Sequence, residues 1–187
     1  MMLMDRFRIL VAACILATVP ISVAQAHDPC HNATPLEVGA LISANFPGWR
    51  IKQLSDLADY NHELWTKAHP RECPGISAGR FQDPDGLAYA ILLVPKSDAN
   101  AGYKIVVFSK ITVSEPYSVK ILDHADGPTS GAANLVISRL RPGTYPNFDG
   151  TKSLRLKLDS INVEWLEAAA VVYYWSNGRY RTLQTQD

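Results

Sequence analysis

Histidine and cysteine are the residue types here whose placement could do metal or redox chemistry. Cleavage after Ala24-Gln25-Ala26 would make His27 the first residue of an exported chain. An N-terminal histidine offers both its α-amine and its imidazole to one copper ion, and a second imidazole completes such a site. His31, His62, His69 and His124 are available. Only Asp28 and Pro29 separate His27 from Cys30, so a bridge from Cys30 to Cys73 would draw His27 toward Cys73 and favour His69 as partner. His62-Glu63 opens as a zinc helix motif would, but H-E-x-x-H needs its second histidine where Thr66 stands. A solvated surface pair is expected there.

The carboxylates Asp159, Glu164 and Glu167 lie close in sequence. Paired acids hydrolyse sugars when about 5–10 Å apart, but nothing in the spacing sets these three in one cleft. Neither a nucleophile elbow nor a phosphate-binding glycine loop occurs. No catalytic residue is assigned and no cofactor is expected. Trp49, Trp65, Trp165, Trp175, Tyr173, Tyr174 and Tyr180 could form a sugar- or peptide-binding platform or fill the core. Tyr173 and Tyr174 are adjacent in a predicted strand, so they face opposite sides.

These groups sit behind a secretory leader over residues 1–26. Arg6 and Arg8 precede an apolar run from Ile9 to Val23, and the small residues Ala24 and Ala26 suit a signal peptidase. The run is broken by Pro20 and is shorter than the roughly 20 residues needed to span a bilayer. A secreted or periplasmic location follows as the expectation. Removing the leader takes Cys14 with it and leaves Cys30 and Cys73, an even pair in an oxidising compartment, so one disulfide is expected. Asn32-Ala33-Thr34 fits the glycosylation pattern should the source be a eukaryote. The whole chain carries 18 basic and 18 acidic side chains. That balance argues against nucleic acid and against a polyanionic surface as partner.

Residues 27–187 read as a single α+β domain. Thr34-Pro35 with Glu37 predicts a helix start, and Pro47-Gly48 its end. Ser55-Asp56 predicts the cap of a second helix closed by Pro70. From Ile76 the period shifts toward two. Strands are predicted over Ser77–Phe81, Leu87–Val94, Tyr103–Ile111, Tyr117–Asp123, Leu135–Leu140, Ser153–Leu158, Ala168–Trp175 and Tyr180–Thr185. Asn177-Gly178 predicts a tight hairpin turn between the last two. The helices are expected to pack on one face of an antiparallel meander.

The stretch from Cys73 through Phe81, followed by Asp83-Pro84-Asp85-Gly86 and an apolar strand, resembles a blade edge of the FG-GAP or VCBS type. The ending from Tyr173 to Tyr180 is similar to uncharacterised secreted bacterial proteins of that kind. The resemblance covers only these stretches and implies no activity. Calcium-binding loops of that type alternate carboxylates or amides as D-x-[DN]-x-[DN]-G. Phe81 stands here where the first ligand belongs, so Asp83 and Asp85 form a poor cage for an ion that wants six to eight oxygens. The expectation is a non-enzymatic binding module for a protein or cell-envelope component, without nucleic acid and without a membrane span. Copper held by His27 and His69 is the alternative.

Overall fold

The computed structural model describes residues 28–110, 114–127 and 132–186. The predicted leader and His27 lie outside the described residues.

Apolar residues run almost unbroken through the centre of the chain, and the fold explains why. Strands β3 (Ala88–Pro95) and β4 (Gly102–Ser109) pair antiparallel with Leu92 opposite Ile105 and Ile91 opposite Val106. Alternate residues point to opposite faces. Ala88, Ala90, Leu92, Tyr103, Ile105 and Val107 enter one core. Ile91, Leu93, Val106 and Phe108 enter another, with Val38 and Ile42 of helix α1 (Leu36–Asn45). A sheet covered on both faces needs apolar residues at every position. Truncating Ile91 or Leu92 to Ala should cost about 2–5 kcal/mol.

The first sheet is completed by β5 (Ser118–Asp126) beyond β4, and by two short strands that share the other edge of β3. β1 (Trp49–Ile51) pairs with its Leu93–Pro95 end and β2 (Ile76–Gly79) with its Ala88–Ile91 end. Lys52 N–H donates to Leu92 O, and Leu92 N–H donates to Gly75 O, both at 2.9 Å. The chain therefore leaves this edge at Lys52 and rejoins it at Gly75. Helix α2 (Asp59–Ala68) occupies the excursion between them, with Trp65 buried against Leu57 and Val136. A Cβ on Gly75 would collide with the Lys52 carbonyl.

A second sheet has the order β11 (Arg179–Gln186), β10 (Ala169–Ser176), β9 (Ser160–Trp165), β6 (Leu135–Leu140). Leu135, Ile137, Ile161 and Val163 face the first sheet and join its core. Ile137 N–H donates to Pro74 O across the seam between the sheets, at 2.9 Å. The hairpin β7 (Gly143–Pro146) with β8 (Ser153–Leu156) stands apart as a two-stranded sheet.

The expected α+β architecture is therefore corrected. The molecule is predominantly antiparallel β, with eleven strands against two ten-residue helices among the described residues. The breakers Pro47-Gly48 and Pro70 cut each helical segment short, so no helical layer forms. The meander becomes two packed sheets because β3 and β4 need cover on both faces. The expected caps also shift. Gly39 N–H already donates to Pro35 O, which makes Pro35 rather than Thr34 the cap of α1. Asp56 serves a short 3-10 turn (Leu54–Asp56), and α2 starts later at Asp59.

The disulfide is present. Cys30 and Cys73 have Cα atoms 4.7 Å apart, and both sulfurs lie against the Lys52 carbonyl at 3.6 and 4.0 Å. No helix among the described residues is long and apolar enough to cross a membrane.

Candidate functional site

The seam between the sheets turns basic where its strands end. Arg80 follows β2, Arg139 lies near the end of β6, and Arg141 follows it. Arg155 is in β8, and Lys157 lies just beyond. Spacing of two on an extended chain puts Arg139 with Arg141, and Arg155 with Lys157, on common faces. Arg80, Arg139, Arg141 and Lys157 line a cleft of about 380 Å³. Lys157 also lines two further clefts with Arg155, of about 410 and 600 Å³. Arg139 walls a fourth, of about 230 Å³, with Arg71 and Ser77. Arg139 is common to two of these clefts and Lys157 to three, and together the clefts form a basic track.

Local packing sets these cations. A Cβ on Gly79 would meet the Phe81 ring at 2.7 Å and Arg139 Cδ at 3.1 Å, so this glycine makes room chiefly for Phe81 and also for the arginine stem. Tyr145 Oη donates to Arg141 O at 2.8 Å and holds the turn into β7. Asp159 is the one carboxylate in the first cleft, and its Oδ2 accepts from Arg80 N–H at 2.9 Å. The ion pairs among the described residues are Arg50–Asp56, His69–Glu72, Lys104–Asp126 and Lys110–Glu37. Arg80, Arg139, Arg141, Arg155 and Lys157 take part in none of them. Ser77 Oγ is buried without a hydrogen-bond partner beside this track.

One end of the track is aromatic. Tyr174 and Trp175 line the cleft that holds Arg155 and Lys157. Trp175 is braced by Tyr180, edge-on at 5.1 Å, and by Lys120 Nζ 5.8 Å from its ring centre. The other candidate platform residues are spent elsewhere. Tyr173 faces the shared core and donates from Oη to Asp123 Oδ2 at 3.0 Å, as Tyr103 does at 3.2 Å. Burial, then the Asp123 charge, pushes the Tyr103 phenol up to about 12 and raises that of Tyr173. Trp65 and Trp165 pack in the interior clusters, and Trp49 lies under Lys104 Nζ at 4.3 Å.

The three acids read from sequence do not meet. Asp159 precedes β9, Glu164 is within it, and Glu167 follows it with φ +65°, accepting from Tyr60 Oη at 2.8 Å. In the Asp83–Gly86 turn, Asp83 Oδ1 accepts from Asp85 N–H. The histidines divide. His124 is on β5, while His62 and His69 line a separate cleft of about 380 Å³ with Asp28, Trp65 and Glu72. His69 stacks on Trp65 at 4.2 Å with Nδ1 3.1 Å from Glu72 Oε2. Among the described residues, no three His, Cys, Asp or Glu side chains are placed to hold a metal ion.

Two features escaped the sequence reading. The basic track was visible only as i, i+2 pairs of cations that looked like ordinary solvated faces. Lys52 carried no signal at all. It is fully buried, and Nζ donates to Ala132 O and Ala133 O at 2.7 and 2.8 Å. Burial lowers its ammonium to about 8, with Asp56 opposing the shift. Burial also pushes the Asp56 carboxyl up, but hydrogen bonds from Arg50 and from Gln53 N–H outweigh it and hold Asp56 below the usual range.

No family model matches the chain, and neither a curated protein nor a solved structure matches it.

Proposed function

We propose that this protein is a secreted, non-enzymatic binding module that holds an anionic ligand of the cell envelope in the basic track. The gathering of Arg80, Arg139, Arg141, Arg155 and Lys157 around clefts that share lining residues, without an ion-pair partner among the described residues, carries the reading. Unpaired like charges in one concavity repel each other, and an anion relieves that repulsion. Net charge counted over the chain argued against such a partner, but it averages over a surface on which the charges are segregated. The scattered acids and the absence of a nucleophile motif support binding rather than turnover. The test is retention on immobilised heparin, used as a generic polyanion, at about 50 mM salt. The protein should be retained, and Arg139→Glu with Arg141→Glu should elute at clearly lower salt. Lys67→Glu, on α2, should elute as the parent does. A parent protein that flows through would overturn the proposal.

The position of Asp28 favours a second reading, copper held by His27. Asp28 lines the cleft of His62 and His69, and His27 precedes it in sequence. Glu72 engages His69 Nδ1, leaving Nε2 for a metal. Protein beginning at His27 should bind Cu²⁺ below micromolar, and a form extended by one residue should not. Equal affinity in the two forms would end this reading.

A further inference from the structure

We infer that the ligand of the basic track is an extended anionic polysaccharide, its repeating carboxylate or sulfate groups spaced along the cations and one sugar ring seated on Trp175; this rests on the anion-binding reading above. Three observations point there. The clefts share cationic lining residues, Arg139 between two of them and Lys157 among three. Each is of small-molecule size or below, so a single small anion would leave most of the track empty. A chain bearing a charge on every unit would engage Arg71, Arg139, Arg141 and Lys157 in turn.

The aromatic end selects the class of chain. A sugar ring presents a C–H face to an indole and hydroxyls to neighbouring donors. Trp175 is held by Tyr180 and Lys120, so its ordering is largely complete before a ligand arrives. Single-stranded nucleic acid uses stacking platforms for successive bases. Here Tyr174 and Trp175 serve one cleft only, and the far end offers Arg71 and Arg139.

The experiment is calorimetric titration of the exported protein. The probes are a galacturonate octamer, a heparin octamer, galacturonate monomer, neutral maltooctaose, inorganic polyphosphate and a single-stranded oligonucleotide. At least one acidic octamer should bind, with monomer at least tenfold weaker and maltooctaose silent. Trp175→Ala should weaken the acidic octamer about tenfold and leave polyphosphate unchanged, whereas Arg139→Glu should weaken both. Trp175→Phe keeps a ring and should retain octamer binding, which covers the case in which the alanine variant fails to fold. If polyphosphate or the oligonucleotide binds at least as tightly as both octamers, the polysaccharide is the wrong occupant and the anion track stands. Indifference of octamer binding to a folded Trp175→Ala has the same meaning. Monomer binding as tight as octamer would remove the extended chain. If no anion binds, both proposals fall.

Discussion

Lys52 brings an ammonium group into a site without exposed surface, where Nζ donates to the carbonyls of Ala132 and Ala133. Its folded value of about 8 lies below the ordinary lysine value of 10.5. Below pH 8 both folded and unfolded chains hold the proton, and the full burial cost is present. Between about 8 and 10.5 the folded chain has released its proton and the unfolded chain has not, so unfolding takes up protons and stability rises with pH. The shift corresponds to about 3 kcal/mol. Tyr103 and Tyr173 act in the opposite sense above pH 10, because their phenols stay neutral in the fold after they would ionise in the unfolded chain. Urea unfolding should therefore show stability climbing from pH 7.5 to 9.5 and falling beyond 10. Lys52→Met should abolish the climb. A flat profile in the parent would mean that Lys52 does not titrate as described.

At the scale of elements, the hairpin β10–β11 was the most legible part of the chain. Asn177 and Gly178 have φ of +52° and +74°, the left-handed pair a tight hairpin needs, and Ser176 pairs with Arg179. Gly178→Val should cost on the order of 1 kcal/mol or more in chemical denaturation, since a β-branched residue resists positive φ. Unchanged stability would remove the turn's role in holding the hairpin. Other elements were less legible for physical reasons. β7 contains Gly143 and Pro146, both poor strand formers, and survives because its hairpin stands outside the main sheets. β9 alternates Ile161, Val163 and Trp165 against Asn162 and Glu164, a pattern of period two over only six residues. The two helices are only ten residues each, because propensity and capping residues mark where a helix starts better than how much of the fold it supplies.

For the whole molecule, one covalent link joins the N-terminal segment to the seam. The loop it closes spans a sequence separation of 43, and the chain-entropy model gives it about 4 kcal/mol. The double variant Cys30→Ser, Cys73→Ser should unfold at correspondingly lower urea. A loss below about 1 kcal/mol would mean that the unfolded chain is already constrained there. The pairing was legible because Cys30 and Cys73 are the two cysteines beyond the expected leader. The basic track was not, because it joins residues from β2, β6 and β8 that only the packing of two sheets brings together. Its cations cost little stability where they are exposed, so Arg141→Gln should leave the melting temperature nearly unchanged while weakening anion binding. A large drop in melting temperature would make Arg141 a structural residue instead.

The excursion that leaves β3 at Lys52 and returns at Gly75 has a consequence for how the native state breathes. Its two ends hydrogen-bond to one residue, Leu92, and α2 itself pairs with no strand. Its hold on the second sheet is small: Leu57 and Trp65 pack on Val136 of β6, and Asn61 and Tyr60 donate to Asn134 and Glu167. Such a segment is built to open as a sub-global unit, below the free energy of full unfolding. Native-state amide hydrogen exchange should find the amides of α2 exchanging through a cheaper opening than those of β3 and β4. Equal protection in α2 and β4 would mean that helix and sheet open only together.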